Sequence, residues 1–91
     1  MTVRKRPTRL DVRHVENHAL KAIADRLGEP HPEGLLAVER DRDAVVLRLN
    51  SGGNILAVEA WLRGRGYHVE DAGKNPDGYG GATRVTLEAT Q

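Results

Sequence analysis

The segment from Ala44 to Ala89 constrains the fold more than any other part of the chain, because strand, helix and turn patterns follow one another in it with clear boundaries. Val45, Leu47 and Leu49 recur at every second position, the spacing of a half-buried strand. A Gly-Gly turn then leads into an apolar helical pattern, and two further alternating segments follow. The order of these patterns predicts a β-α-β-β arrangement.

An amphipathic helix is predicted before this segment, from Asp11 to Leu27. Apolar residues recur there three and four positions apart, with polar residues between them. The Asp11 carboxylate is expected to accept from free amides of the first turn, and Gly28 to end the helix in the left-handed conformation. Pro30 and Pro32 prevent the helix from continuing.

The remaining elements follow from alternation and turn chemistry. In chain order we predict strands at Leu35–Glu39 and Ala44–Asn50 joined by a charged connection at 40–43, a helix at about Ile55–Arg65, and strands at Tyr67–Asp71 and Ala82–Ala89. Between the last two strands, Pro76 and Gly78 indicate a turn within a long loop. The complete pattern is α-β-β-α-β-β. We therefore predict an α+β fold in which a four-stranded sheet carries both helices on one face and exposes a polar face.

Composition narrows the class of protein. The chain has 91 residues, which suits one domain, and it contains no Cys. Disulfides, thiolate catalysis and cysteine-based zinc sites are therefore excluded, and a reducing cytoplasm is compatible with the sequence. No apolar run approaches the length of a membrane span, and the first residues lack the pattern of a signal peptide. We expect a cytoplasmic protein that does not act at a membrane.

Charge is distributed unevenly along the chain. Residues 1–10 hold four of the 14 Lys and Arg residues and none of the 13 Asp and Glu residues, so this segment carries +4 and the remainder −3. We predict a flexible basic arm over residues 1–10 and a single α+β domain over residues 11–91. The arm has two interpretations: a solvated chain end, or an element that binds phosphates or an acidic partner.

Nucleic-acid binding is the alternative function that this charge suggests. Phosphate contacts are expected from the arm and from the end of the second helix, at Arg4, Lys5, Arg6, Arg9, Arg63 and Arg65. The predicted exposed sheet face opposes base stacking, because it presents charged and polar side chains in place of aromatic ones. A nucleic-acid-binding accessory protein that uses its basic arm remains the second of two hypotheses.

Catalytic, metal and cofactor motifs are weak in this sequence. His14 and His18 are four residues apart on the predicted first helix, a spacing that suits one metal ion, but no third ligand is evident. The glycine turn at 51–54 lacks the Lys and Ser or Thr of a phosphate-binding loop. Nothing in the sequence pairs a nucleophile with a base. We expect no enzyme activity, no metal site and no cofactor.

A protein interface is the function that the pattern favours most. The second helix is apolar on more than one side, so either the first helix or a partner must cover the extra surface. Leu56, Trp61 and Tyr79 are the expected contact residues, since large apolar and aromatic side chains dominate interfaces. An uncapped sheet edge also favours association, including a homodimer. We predict a small non-catalytic protein-binding or regulatory protein.

The second half of the chain also resembles small uncharacterised proteins of actinobacteria and their phages, which share a β-α-β-β outline. The resemblance extends over about half of the chain, and the matching residues within it are Val45–Leu49, Ala60–Arg63, His68–Glu70 and Arg84–Glu88. It implies an origin in a phage or mobile element and carries over no functional residue.

Overall fold

Two α-helices and four β-strands form residues 10–87, the part of the chain that the computed structural model describes. The elements are, in order, α1 (Val12–Leu27), a short 3-10 turn (Pro32–Gly34), β1 (Leu35–Asp41), β2 (Ala44–Leu49), α2 (Gly52–Arg63), β3 (Tyr67–Lys74) and β4 (Gly81–Leu87). This composition confirms the predicted α+β class and the α-β-β-α-β-β order.

The four strands form one antiparallel sheet in the order β1-β2-β4-β3. The β1–β2 pair is a hairpin, and β4 lies between β2 and β3 although it is the last strand in the chain. Helix α2 therefore connects two strands that run parallel to each other with β4 between them, a split β-α-β unit. Within the described residues, β1 and β3 are the edges of the sheet.

Both helices begin at a capping side chain. The Asp11 carboxylate accepts a hydrogen bond from the Arg13 amide at 3.0 Å, and Gly28 ends α1 with φ 81°. The sequence predicted both the Asp11 cap and the end of α1 at Gly28. Ser51 caps α2 by accepting from the Asn54 amide at 3.1 Å. Helix α2 consequently begins at Gly52, three residues earlier than predicted, because this cap draws both glycines of the expected turn into the first helical turn.

The core is aliphatic and lies between the helices and one face of the sheet. Its fully buried side chains come from both helices and from the two central strands, β2 and β4, and the largest apolar ones are Val15, Ile23, Val45, Leu47, Leu49, Val58, Leu62 and Val85. Helix α1 packs over β1 and β2, and α2 mainly over β3 and β4. The opposite sheet face carries Arg48, His68, Glu70, Arg84 and Thr86, as the alternation predicted.

The β1–β2 connection is shorter than predicted. Strand β1 continues to Asp41, so only Arg42 and Asp43 form the turn, and Arg42 has a positive φ of 60°. Arg40, expected in the connection, pairs with Val45 in the register and therefore points to the helix side of the sheet. There its guanidinium donates to the Leu10 carbonyl. Leu10, assigned to the arm from the sequence, is buried in the core, and residues 1–9 of the predicted arm lie outside the described residues.

Candidate functional site

A groove of about 460 Å³ separates α2 from the loop that joins β3 and β4. Its walls combine two apolar side chains, three charged ones and a row of glycines: Ile55, Leu56, Glu59, Asp71, Lys74, Gly52, Gly73, Gly78, Gly80 and Gly81. A volume of this size lies in the range of sites that hold a small ligand or one or two side chains of a partner. We call it the α2 groove.

The loop that forms one wall is anchored by Asn75, which is buried. Its side-chain amide donates to the carbonyls of Leu49 at 2.9 Å and Tyr79 at 2.8 Å, and its side-chain oxygen accepts from Arg48 at 3.2 Å. The Gly78 amide closes the predicted proline turn by donating to the Asn75 carbonyl at 2.9 Å. One side chain thus ties the loop to the end of β2 and keeps the groove formed.

Glycines let the loop pass close to neighbouring backbone. Gly80 has φ 69°, and a Cβ at this position would collide with the Leu49 carbonyl. A Cβ on Gly81 would lie 2.5 Å from the Gly73 carbonyl oxygen and 3.3 Å from Ile55 Cδ1. Because these positions carry no side chain, nothing from the loop fills the space beside Ile55, and the groove stays open.

A buried carboxylate lies in the groove wall. Glu59, in the middle of α2, is only 8% exposed. Its Oε2 accepts from the Thr83 hydroxyl at 3.1 Å, and its Oε1 lies 3.9 Å from the Arg63 guanidinium. The sequence did not reveal this contact, because Thr83 lies on the last strand, 24 residues away. Because Arg63 compensates the charge of Glu59, the remaining charged groups of the groove wall are the Asp71 carboxylate and the Lys74 ammonium.

The structure separates the three predicted interface residues into two groups. Leu56 is 69% exposed and lines the groove, and Tyr79 is 74% exposed between the groove-lining Gly78 and Gly80. Trp61 follows Leu56 by five positions, which places it about 140° away around the helix. Its Nε1 donates to His18 Nδ1 on α1 at 3.1 Å. Trp61 therefore packs between the helices and does not line the groove.

The predicted nucleic-acid residues are also divided. Arg63 donates to the Val69 carbonyl at 3.1 Å and pairs with Glu59, whereas the Arg65 guanidinium lies 4.1 Å from the ring centroid of Trp61. They occupy opposite flanks of α2 and do not form one basic strip. Arg4, Lys5, Arg6 and Arg9 lie outside the described residues. The chain has only three aromatic residues, and none of them is on the open sheet face.

His14 and His18 approach each other on α1, with ring centroids 4.6 Å apart and the rings nearly perpendicular. Burial lowers the pKa of His18 first, and the basic groups of His14, Arg65 and Lys21 lower it further. Among residues 10–87, no group of three or more His, Asp or Glu side chains is placed to hold a metal ion. A metal-binding pair on α1 has no further ligand within that range.

The chain matches no protein-family model, no curated protein and no solved structure. Neither helix of the described segment combines the length and apolar character needed to cross a bilayer. A function for this chain is therefore inferred from the residues and contacts described above.

Proposed function

We propose that this chain is a small non-catalytic binding protein that regulates a protein partner by engaging it through the α2 groove. The observation that carries the proposal is the pair of large exposed side chains, Leu56 and Tyr79, at a preformed groove with an apolar wall. Exposed apolar surface of this kind costs free energy in water, so it is common where another protein docks. No cofactor is required for this role, and the absence of Cys is compatible with the cytoplasm.

The groove chemistry favours an extended partner segment with an apolar side chain next to Lys or Arg. Ile55 and Leu56 provide apolar contact, and the row of glycines leaves room for a bulky side chain. The exposed Asp71 carboxylate at the rim offers an ion pair to a cation of the partner, whereas Glu59 is already paired with Arg63. We therefore expect a partner segment in which apolar and basic residues alternate, and not an acidic one.

Selection from a random peptide library displayed on phage tests this proposal directly. Enriched peptides should share an apolar residue beside a basic one and should bind wild type in solution. Leu56→Glu should abolish their binding, whereas Leu36→Glu, an equally drastic change at a 54% exposed residue outside the groove, should leave it intact. Enriched peptides that bind the Leu56→Glu variant as well as wild type would refute the groove as the site.

A second copy of the chain is the other candidate occupant of the α2 groove, and it must be distinguished from a different protein partner. Light scattering of the wild type and of Leu56→Glu reports the mass of each in solution. A wild-type dimer that becomes monomeric with the substitution would mean that the groove serves self-association, and the partner would then be the chain itself.

Nucleic-acid binding through the basic arm is the second candidate, and it rests on the +4 charge of residues 1–10. Replacing Arg4, Lys5, Arg6 and Arg9 with Ala should abolish retention of a mixed-sequence duplex at low salt, because phosphate contacts release counterions and depend steeply on salt. The same change should leave binding to the groove unaltered. A wild-type protein that ignores duplex even at low salt would eliminate this candidate.

A further inference from the structure

Four basic side chains meet on the flank of α2 opposite the groove. His14, His18 and Lys21 follow one another at i, i+4 and i+7, so they share one face of α1. Arg65, in the turn after α2, lies over the ring of Trp61, which donates a hydrogen bond to His18. These contacts bring the basic side chains of two elements to one surface. We call His14, His18, Lys21 and Arg65 the basic cluster.

The basic cluster presents hydrogen-bond donors. Because His18 Nδ1 accepts from Trp61, the neutral imidazole of His18 carries its proton on Nε2, which is directed away from Trp61. Lys21 and Arg65 have donors and no acceptors. The Trp61 ring also supports the plane of the Arg65 guanidinium, which limits the conformational entropy that Arg65 loses when it binds an anion.

Acidic groups lie at the margins of this surface. The charged side chains that act on His18 are all basic, namely those of His14, Arg65 and Lys21. On α1, Asp11 is occupied in part by capping the Arg13 amide, and Asp25 lies one turn beyond Lys21. On the sheet side, the Tyr67 ring of β3 lies 6.1 Å from the His18 ring, and burial together with the Asp11 carboxylate raises the pKa of Tyr67.

We propose that the basic cluster is a binding site for a phosphate group on a compact ligand, independent of the α2 groove. Guanidinium, ammonium and protonated imidazole groups all form charge-assisted hydrogen bonds with phosphate oxygens. A phosphate dianion favours the protonated form of the His18 imidazole, which opposes the lowering of the His18 pKa by burial. Protonation of His18 competes with the Trp61 hydrogen bond, which couples occupancy of the site to the contact between α1 and α2.

The four histidines of the chain provide the readout and its internal control. Pyrophosphate added at constant ionic strength, with sodium chloride as the reference, should shift the imidazole NMR signals of His14 and His18 saturably. The signals of His31 and His68 should stay in place, because each of these rings already pairs with a carboxylate, Glu33 at 2.8 Å and Glu70 at 2.9 Å. Equal shifts at all four rings, or none at His14 and His18, would overturn the proposal.

Variants separate the site from general charge attraction. Arg65→Gln and Lys21→Gln should each weaken pyrophosphate binding about tenfold, since each removes charge-assisted hydrogen bonds. Arg42→Gln makes the same change of charge in the β1–β2 turn and should leave affinity unaltered. If all three variants weaken binding equally, only net charge matters and the site does not exist. A phosphoserine peptide and a free phosphomonoester then distinguish a protein-borne phosphate from a small molecule as the source.

Discussion

The two flanks of α2 show how one helix surface is used in two ways. On the flank facing α1, Trp61 packs against His18 and is covered by Arg65, so the apolar ring is satisfied within the molecule. On the flank facing the β3–β4 loop, Leu56 is 69% exposed and no side chain from the loop covers it. Helix α2 has apolar side chains on both flanks. Neighbouring side chains cover only the flank that faces α1.

The difference arises from what each neighbouring segment contributes. Helix α1 offers side chains at regular spacing, which fill the space beside Trp61. The β3–β4 loop offers glycines and a backbone held by Asn75, which approach α2 without filling the space. A packed flank is expected to contribute to folding stability, whereas an open flank contributes little and remains available for a partner.

Removal of the loop anchor should have the largest effect. Asn75→Ala removes a donor from the buried Leu49 carbonyl and from the partly buried Tyr79 carbonyl, and it removes the acceptor of Arg48. We expect a loss of about 3 kcal/mol in the free energy of unfolding, because unsatisfied buried groups cost about 1–3 kcal/mol each and the loop partly relaxes. Urea denaturation measures this loss. Asn17→Ala, on the exposed side of α1, is the matched control and should change stability little.

Truncation of one large side chain on each flank of α2 tests whether the two flanks differ in their contribution to stability. Trp61→Ala should destabilise by about 2 kcal/mol, less than the 3–5 kcal/mol of a fully buried Trp, because Trp61 is half-buried. Leu56→Ala should cost under about 0.5 kcal/mol, as is usual for an exposed side chain, and should still weaken peptide binding. Thermal denaturation followed by far-UV circular dichroism compares both variants. Equal destabilisation would mean that Leu56 is part of the core and would remove the distinction between the flanks.

Local signals in the sequence predicted the elements and several of their ends. The alternation of Val45, Leu47 and Leu49 located β2, and the caps at Asp11 and Gly28 located α1, because these features act through residues nearby in the chain. Strand order could not be derived in this way. The insertion of β4 between β2 and β3 depends on pairing between distant segments, such as Val45 with Val85.

The candidate site was predicted only in part for the same reason. Exposure of Leu56 and Tyr79 follows from their place in the helical and loop patterns, and the structure agrees. The burial of Glu59 requires the Thr83 hydroxyl, and the anchoring of the loop requires the Leu49 carbonyl, so neither has a local signal. A short polar residue beside a proline turn, as Asn75 is, was the one available hint that the loop is fixed.

The pH dependence of the packed flank should be the smallest effect. Burial lowers the pKa of His18 below its ordinary value of 6.5. The unfolded chain therefore binds more protons than the folded one just below this pH, so stability rises with pH there. The contribution of His18 is complete above about pH 6.5 and is lost as the pH falls through the lower folded value. Urea midpoints measured from about pH 5 to about pH 8 should follow this direction.

His18→Asn provides the control for this prediction, because its side-chain oxygen can accept the Trp61 hydrogen bond and does not titrate. The variant should lose the pH-dependent part of stability in this window and retain the contact between the helices. Trp61 is the only Trp in the chain, so its fluorescence reports the same contact during the titration. A wild type and variant with parallel stability profiles would show that His18 does not couple protonation to the packed flank, and the two flanks of α2 would then differ in packing alone.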